Sequence, residues 1–309
     1  MVAELYIVAE SFANNTNFTT PEIESKTKSL ANDFVYIKKY SETNRLFVHP
    51  DIYAVNFITG VSLSDLLHNR KIAKEHLDRD VYGALQNIID KSATTTHTSQ
   101  EVIEVLLPEY NENLCHGLIA FNPVPAVQPE LQIVYHLQGW FKFRRHFLGL
   151  YPKNENFYID ECIKYFPNLY FHERNRTTIS AIFDDCPKKI IYHLTALNDK
   201  FKLIDKAGRN RTQVLEAFSI TAELDETASL EGNAARKDDF TFTFSNHQKK
   251  EVNVCCEPHL KLCFSDTSNA YSNERRIYFH EGIERIQDGE IIEIVQDGKI
   301  LIGHIGGHL

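Results

Sequence analysis

The chain has 309 residues, of which 43% are hydrophobic and 24% are charged, and its formal net charge at pH 7 is −9. This composition is typical of globular proteins and predicts two domains or one large domain. The excess of acidic residues argues against a protein that coats nucleic acid along its whole surface, while leaving room for a local basic patch.

The amino terminus carries an acidic residue and no basic segment, so we expect no signal peptide. No apolar run approaches the roughly 18 residues of a membrane-spanning helix, which predicts that a membrane is not a partner. The cysteines form no C-x-x-C pair, so we expect reduced thiols in a cytoplasmic protein. They are Cys115, Cys162, Cys186, Cys255, Cys256 and Cys263.

The first 130 residues predict a mixture of helices and strands. Thr20 followed by proline predicts a helix over residues 21–30, and short apolar runs predict strands at 34–37 and 45–48. Ser62 with Asp65 predicts the start of a helix, and Thr98 with Glu101 predicts a capping box. Residues 73–91 have the apolar spacing of an amphipathic helix. Residues 108–130 hold four of the ten prolines, which predicts a connection rather than a regular element.

The middle of the chain predicts helices at residues 131–150, at 157–165, after Pro187 and around Leu215. Residues 141–211 carry fourteen Lys and Arg against eight Asp and Glu, a formal charge of +6. Arginines among aromatic residues suit nucleic-acid backbones and bases, whereas solvated helix faces or a dock for an acidic protein partner explain the same pattern. The candidate nucleic-acid-binding residues are Arg144, Arg145, Arg174 and Arg176.

We expect a linker at residues 225–239 and a sheet at 240–309. Phe240, Phe242 and Phe244 alternate with polar residues, and two Gln-Asp-Gly triplets are typical of hairpin turns. The predicted fold class is therefore α+β, with a mainly helical region at 1–224 followed by an antiparallel meander of about five strands. The domains would be 1–224, including the basic middle, and 240–309.

Alternation within the predicted strands places one set of polar side chains on a common face. Imidazoles can transfer protons, and Lys and Arg can stabilise charge on a pentavalent phosphate, which is the chemistry of phosphodiester cleavage. His304 falls on the apolar face unless Gly303 or Gly306 hosts a bulge that turns it over. The candidate catalytic residues are His259, Lys261, Arg276, Tyr278, His280 and His304.

Three segments carry a resemblance to a known family. Pro-His-Leu-Lys-Leu at 258–262, Arg-Arg-Ile-Tyr-Phe-His at 275–280 and Asp-Gly-Lys-Ile-Leu-Ile-Gly-His at 297–304 resemble the central strands of RelE-like messenger-RNA-cleaving toxins. The resemblance covers about the last sixty residues and implies site positions at or near His259, Lys261, Arg276, Tyr278 and His304. Two departures are a Gly-Gly-His-Leu end in place of a basic pair, and a formal charge of −3 over residues 240–309.

The first functional hypothesis is a metal-independent ribonuclease or nucleic-acid-directed toxin that uses no cofactor, acts on RNA, and is restrained by a protein partner or inhibitor, as in bacterial phage defence. His259 or His280 would act as acid or base. The alternative is a non-catalytic subunit of a multi-protein defence complex that docks nucleic acid or a partner enzyme. A third hypothesis is a metal-dependent nuclease using Asp184 and Asp185, for which a turn before Pro187 is the simpler explanation.

Overall fold

The structure is a computed structural model that describes residues 1–12, 19–134, 139–245, 250–262, 274–285, 291–294 and 296–309. The chain folds into two compact units, unit 1 at Met1–Phe147 and unit 2 at Leu148–Leu309. This division lies within a helix, whereas the sequence predicted the main boundary at the linker 225–239. No helix among the described residues has the length and apolar character needed to cross a membrane.

Unit 1 is built on a five-stranded parallel sheet flanked by helices. Its strands are β1 (Val2–Ile7), β2 (Asn44–Val48), β3 (Asn56–Ile58), β4 (Val61–Ser62), β5 (Ala93–Thr94), β6 (Leu114–Ala120) and β7 (Gln132–Val134). The sheet order is β5-β2-β1-β6-β7, and β3 pairs with β4 as a separate hairpin. The α+β prediction for this region is therefore wrong, because a parallel sheet makes the fold mixed α/β.

Seven α-helices accompany this sheet within the described part of the chain. They are α1 (Ala9–Phe12), α2 (Thr20–Lys39), α3 (Leu63–His68), α4 (Arg70–His76), α5 (Arg79–Asp90), α6 (Ser99–Glu101) and α7 (Gly139–Leu150). A π-helical turn, Val102–Leu106, follows α6, and α7 runs across the division between the units.

The predicted helix starts at Ser62 and Thr98 are confirmed. The Ser62 hydroxyl accepts the Asp65 N–H at 3.0 Å, and the Thr98 N–H donates to Glu101 Oε2 at 2.8 Å. The strand predicted at residues 34–37 is wrong, because α2 continues to Lys39 and buries Leu30, Phe34 and Ile37 at helical spacing. The helix predicted over 73–91 is interrupted, since α4 ends at His76 and α5 begins at Arg79.

Two further predictions in unit 1 are wrong because the parallel sheet continues through them. The proline-rich connection at 108–130 contains β6, which is buried along most of its length and pairs with β1. The predicted helix at 131–150 begins instead with β7, and its Gln132–Val134 pair with Leu118–Ala120 of β6. Strands buried on both faces lack polar alternation, so their sequences give no period-two signal.

Unit 2 combines a four-stranded mixed sheet with helices and smaller hairpins. Its strands are β8 (Leu169–Phe171), β9 (Thr241–Ser245), β10 (Glu251–Cys255), β11 (His259–Lys261), β12 (Arg275–His280), β13 (Ile283–Arg285), β14 (Ile291–Ile294) and β15 (Ile300–Gly307). Its α-helices are α8 (Glu155–Tyr165), α9 (Asn175–Thr178), α10 (Pro187–Lys200) and α11 (Arg211–Ala222). A 3₁₀ segment, Ala234–Phe240, precedes β9.

The predicted antiparallel meander is wrong in its topology. The main sheet has the order β11-β12-β15-β8, in which β8 comes from residues far earlier in the chain and lies parallel to β15. β9 and β10 form one hairpin, and β13 and β14 form another. The first Gln-Asp-Gly triplet and Cys263 lie outside the described residues, whereas the second triplet has positive φ at Gln296, Asp297 and Gly298.

The β9–β10 hairpin covers one face of the main sheet. Phe240, Phe242 and Phe244 are buried as their alternation predicted, and they pack in one apolar cluster with Val254, Cys256, Tyr278 and Leu301. The ring of Tyr278 stacks on Phe240 with centroids 5.3 Å apart. This packing fixes the ring of Tyr278 and thereby the position of its hydroxyl group.

Candidate functional site

The candidate site lies along one row of the main sheet in unit 2. His259 on β11 faces Tyr278 on β12, and Tyr278 faces His304 on β15. The register of β12 and β15 shifts after Tyr278, so Gly303 has no direct partner and His304 lies beside Tyr278. This is the bulge that would turn His304 toward the polar row. Lys261 faces Arg276 in the next row.

A carboxylate that the sequence analysis did not single out, Glu231, joins this row. Glu231 Oε1 accepts the Tyr278 hydroxyl at 3.0 Å and forms an ion pair with Arg276. The same oxygen lies 3.4 Å from His259 Nδ1 and 3.6 Å from His308 Nε2. Four side chains therefore approach a single oxyanion, which is how a protein holds a charged group in place.

A second carboxylate, Glu274, completes the cluster at its more exposed side. Glu274 forms an ion pair with Arg276 and lies 3.9 Å from His308 Nε2. The Glu231 side chain is 13% exposed, that of His308 is 27% and that of Glu274 is 33%. Arg276 is thus buried between two carboxylates, while His308 stands between the cluster and water.

His259 is held from both ring nitrogens. Its Nε2 lies 2.9 Å from Ser229 Oγ, and its Nδ1 lies 3.3 Å from the Glu257 carbonyl oxygen. Burial lowers the pKa of His259 to about 4, with Arg276 acting in the same direction and Glu231 opposing it. The imidazole is therefore neutral at pH 7 and can accept a proton.

The other two candidate histidines have different surroundings. His304 is 4% exposed, and its Nε2 lies 3.0 Å from the Gly307 carbonyl oxygen, while burial lowers its pKa to about 4. His280 Nδ1 accepts the Gly282 N–H at 3.1 Å, and burial again lowers its pKa to about 4. His304 belongs to the row but is enclosed, whereas His280 lies at the far end of β12.

An open cleft of about 310 Å³ reaches the cluster. Its walls carry both charges, and they are formed by Arg211, Glu231, Asn233, Lys237, Phe240, Cys255, Glu257 and His280. Lys261 is more exposed than the rest of the candidate residues, and its Nζ lies 3.3 Å from Glu226 Oε2. Glu231 is the member of the cluster that lines this cleft.

The four arginines predicted to bind nucleic acid each make contacts within this chain. Arg144 and Arg145 are both 3% exposed in unit 1, and Arg144 donates to the Met1 carbonyl at 3.2 Å. In unit 2, Arg174 lies over the ring of Phe242 at 4.7 Å, and Arg176 pairs with Asp160 and Glu173. Their charges are therefore directed mainly at this chain itself.

Asp184 and Asp185, the hypothetical metal pair, gain no further ligand among the residues that the structure describes. Both residues are exposed, and Asp185 forms an ion pair with Arg275. Within the described ranges, no group of three or more His, Cys, Asp or Glu side chains is placed to hold a metal ion.

The parallel sheet of unit 1 offers a second location that the sequence analysis missed. In open parallel sheets, ligands bind beyond the carboxyl ends of the strands where the strand order reverses, which here is between β1 and β6. At that edge Lys26 Nζ donates to the Phe121 carbonyl at 3.0 Å and to Asn122 Oδ1 at 2.7 Å. The described ionisable side chains converge more closely in unit 2, which is therefore the candidate site.

Sequence reasoning found the strand residues of the site but missed Ser229, Glu231, Glu274 and His308. Ser229 and Glu231 lie in the acidic segment 225–239, where no periodicity indicates which side chain points toward the sheet. His308 follows β15 directly, so its position could have been inferred by extending the strand past Gly307. In the comparisons with known proteins, no family model, curated protein sequence or solved structure matches this chain.

Proposed function

We propose that unit 2 is a metal-independent ribonuclease whose site is the row His259–Tyr278 together with Arg276, Lys261 and His308. The observation that carries the proposal is the approach of Arg276, Tyr278, His259 and His308 to one carboxylate oxygen of Glu231. Groups that converge on a carboxylate oxygen are also those that stabilise an oxygen of a phosphoryl group during cleavage.

The geometry supports a division of roles among these residues. His259 is neutral at pH 7, so its Nε2 is available as a general base. His308 is the most exposed imidazole of the cluster and can donate a proton to the leaving oxygen. Arg276 and Lys261, which face each other across β11 and β12, would stabilise the developing negative charge.

The resemblance to RelE-like toxins supports the same substrate class. The residues that carry the resemblance, His259, Lys261, Arg276, Tyr278 and His304, lie in neighbouring positions of one sheet. The alternative of a non-catalytic subunit predicts the same fold without turnover, so a cleavage assay separates the two.

The test is incubation of the purified protein with RNA in EDTA. We expect cleavage that EDTA leaves unchanged, and a loss of about 10²-fold in His308→Ala, because a positioned general acid contributes about that much. His97→Ala, which removes an exposed histidine of unit 1, is the matched control and should retain activity. The double variant His259→Ala, Arg276→Ala should be inactive.

Two results would contradict the proposal. One is absence of RNA cleavage by the folded wild-type protein, and the other is equal cleavage by the wild type and by both active-site variants. Because Arg276 is a buried ion-pair partner, its removal is expected to destabilise the fold by about 3–5 kcal/mol. If the double variant proves to be unfolded, the activity of His308→Ala decides the question, provided that circular dichroism shows this variant to be folded.

A further inference from the structure

Ser229 and His259 are held face to face by the main chain. The Ser229 N–H donates to the His259 carbonyl at 3.2 Å, and the His259 N–H donates to the Ser229 carbonyl at 2.9 Å. This antiparallel bridge places both side chains on the same side of the sheet. Their contact, with Oγ 2.9 Å from Nε2, therefore follows from the backbone and not from a chance rotamer.

The surroundings of the imidazole define which nitrogen carries the proton. Nδ1 lies 3.3 Å from the Glu257 carbonyl oxygen, which can only accept, so Nδ1 is the protonated nitrogen in the neutral ring. Nε2 is then left to accept the Ser229 hydroxyl proton. Glu231 Oε1 lies 3.4 Å from Nδ1 and would stabilise the imidazolium that results.

We propose that Ser229 is a nucleophile activated by His259, with Glu231 as the third member, and that it attacks phosphodiesters. The connectivity of hydroxyl to Nε2 and carboxylate to Nδ1 is that of serine hydrolases, which are recognised by geometry rather than by position in the chain. Ser229 is half-buried, and it lies two residues before Glu231, which lines the cleft. This inference rests on the proposed function and names its nucleophile and substrate class.

The charges around Ser229 favour a phosphoryl group over a carboxylic ester. Acyl transfer needs free N–H donors for its oxyanion, but the Ser229 N–H is already donated to His259. Phosphoryl transfer instead needs cations, and Lys261 lies two residues beyond His259 on the same face of β11. Arg276 forms an ion pair with Glu231 beside the imidazole.

The reaction balances without a metal ion. Ser229 Oγ forms a bond to phosphorus as the bond from phosphorus to the leaving oxygen breaks, while His259 Nε2 takes the hydroxyl proton and His308 gives a proton to the leaving oxygen. Water then attacks the resulting serine-linked phosphodiester and gives a proton to His308, the proton on His259 returns to Oγ, and a phosphomonoester leaves. Because Ser229 supplies the nucleophile, the substrate class includes diesters that lack a free 2′-hydroxyl.

A fluorophosphonate probe tests the nucleophile directly. Attack by Oγ forms an O–P bond and expels fluoride, so mass spectrometry of the full chain should find the adduct on Ser229. Ser229→Ala should give no adduct, and His259→Gln should react about 10²-fold more slowly. Ser180→Ala removes an exposed serine of unit 2 and should react at the wild-type rate. Absence of the Ser229 adduct in the folded wild type overturns the inference.

A pair of oligonucleotides separates this inference from the proposed function. RNA and fully 2′-O-methylated RNA of the same sequence are incubated with the protein in EDTA. We expect the wild-type protein to cut both strands and the Ser229→Ala variant to cut neither. If RNA is cut while the methylated strand is not, or if Ser229→Ala cuts RNA normally, the inference is overturned and the proposed ribonuclease stands. If neither strand is cut, the proposed function fails, and the phosphodiester assignment fails with it.

Discussion

Replacing His193 by leucine should make unit 2 less sensitive to acid. His193 is fully buried in α10, and burial, with Lys189 in support, lowers its pKa from 6.5 to about 4. In the unfolded chain His193 binds a proton near pH 6.5, whereas in the folded chain it does so only near pH 4. The free energy of unfolding therefore keeps its full value above pH 6.5 and decreases as the pH falls from 6.5 to 4. At pH 5 the loss amounts to about 2 kcal/mol.

The measurement is urea unfolding at pH 8 and at pH 5. Between these values the wild type should lose about 2 kcal/mol more than His193→Leu, because leucine binds no proton in either state. Leu194→Met is the control at a neighbouring buried position, and its effect should be the same at both pH values. An equal loss for the wild type and for His193→Leu would refute the burial argument.

Two further predictions concern the bulge and the binding of RNA. A Cβ on Gly303 would overlap the ring of Phe242 and lie 2.9 Å from Cys256 Sγ, so Gly303→Ala should destabilise by about 1–3 kcal/mol in urea unfolding. Gly83→Ala in α5 meets open space and should stabilise by about 0.5–1 kcal/mol; effects of the same sign would contradict this reasoning. If Arg276 and Lys261 neutralise two phosphates, the logarithm of the RNA association constant of the slow variant His308→Ala should fall against the logarithm of the salt concentration with a slope of about −1.4. A slope of about −4 or steeper would exclude so small a contact.

The sequence predicted the elements that have one buried face and failed for those without one. The alternation at Phe240, Phe242 and Phe244 identified β9 because one side of that strand is exposed. Nothing comparable marks β6, whose residues are buried on both faces, and the prolines near it argued for a connection. The apolar run at residues 34–37 is too short to distinguish a strand from the last turn of a helix. The buried residues from Ile23 to Ile37 recur at helical spacing, and this longer pattern indicates a helix.

The same distinction explains which part of the site could be predicted. His259, Arg276 and Tyr278 occupy strands, so a period of two residues was enough to place them on one face. The long-range pairing of β8 with β15, and the return of Ser229 and Glu231 to β11, depend on contacts between distant residues. Local sequence patterns carry no record of such contacts, and for this reason the acidic segment 225–239 was interpreted as a linker only.

The buried charges of the cluster are difficult to explain by stability alone. An apolar group in place of a buried ion pair is often neutral or stabilising, because taking charges out of water costs several kcal/mol for each ion. Arg276 is nevertheless enclosed with Glu231 and Glu274, and its Nε has no hydrogen-bond partner among the described residues. Tyr278 adds a hydroxyl whose pKa burial raises to about 12, so it stays a proton donor at neutral pH. A sheet that needed only to be stable would be built more easily from the apolar residues that surround this row, and the cost of the cluster is therefore better explained by what Ser229, His259 and His308 can do beside it.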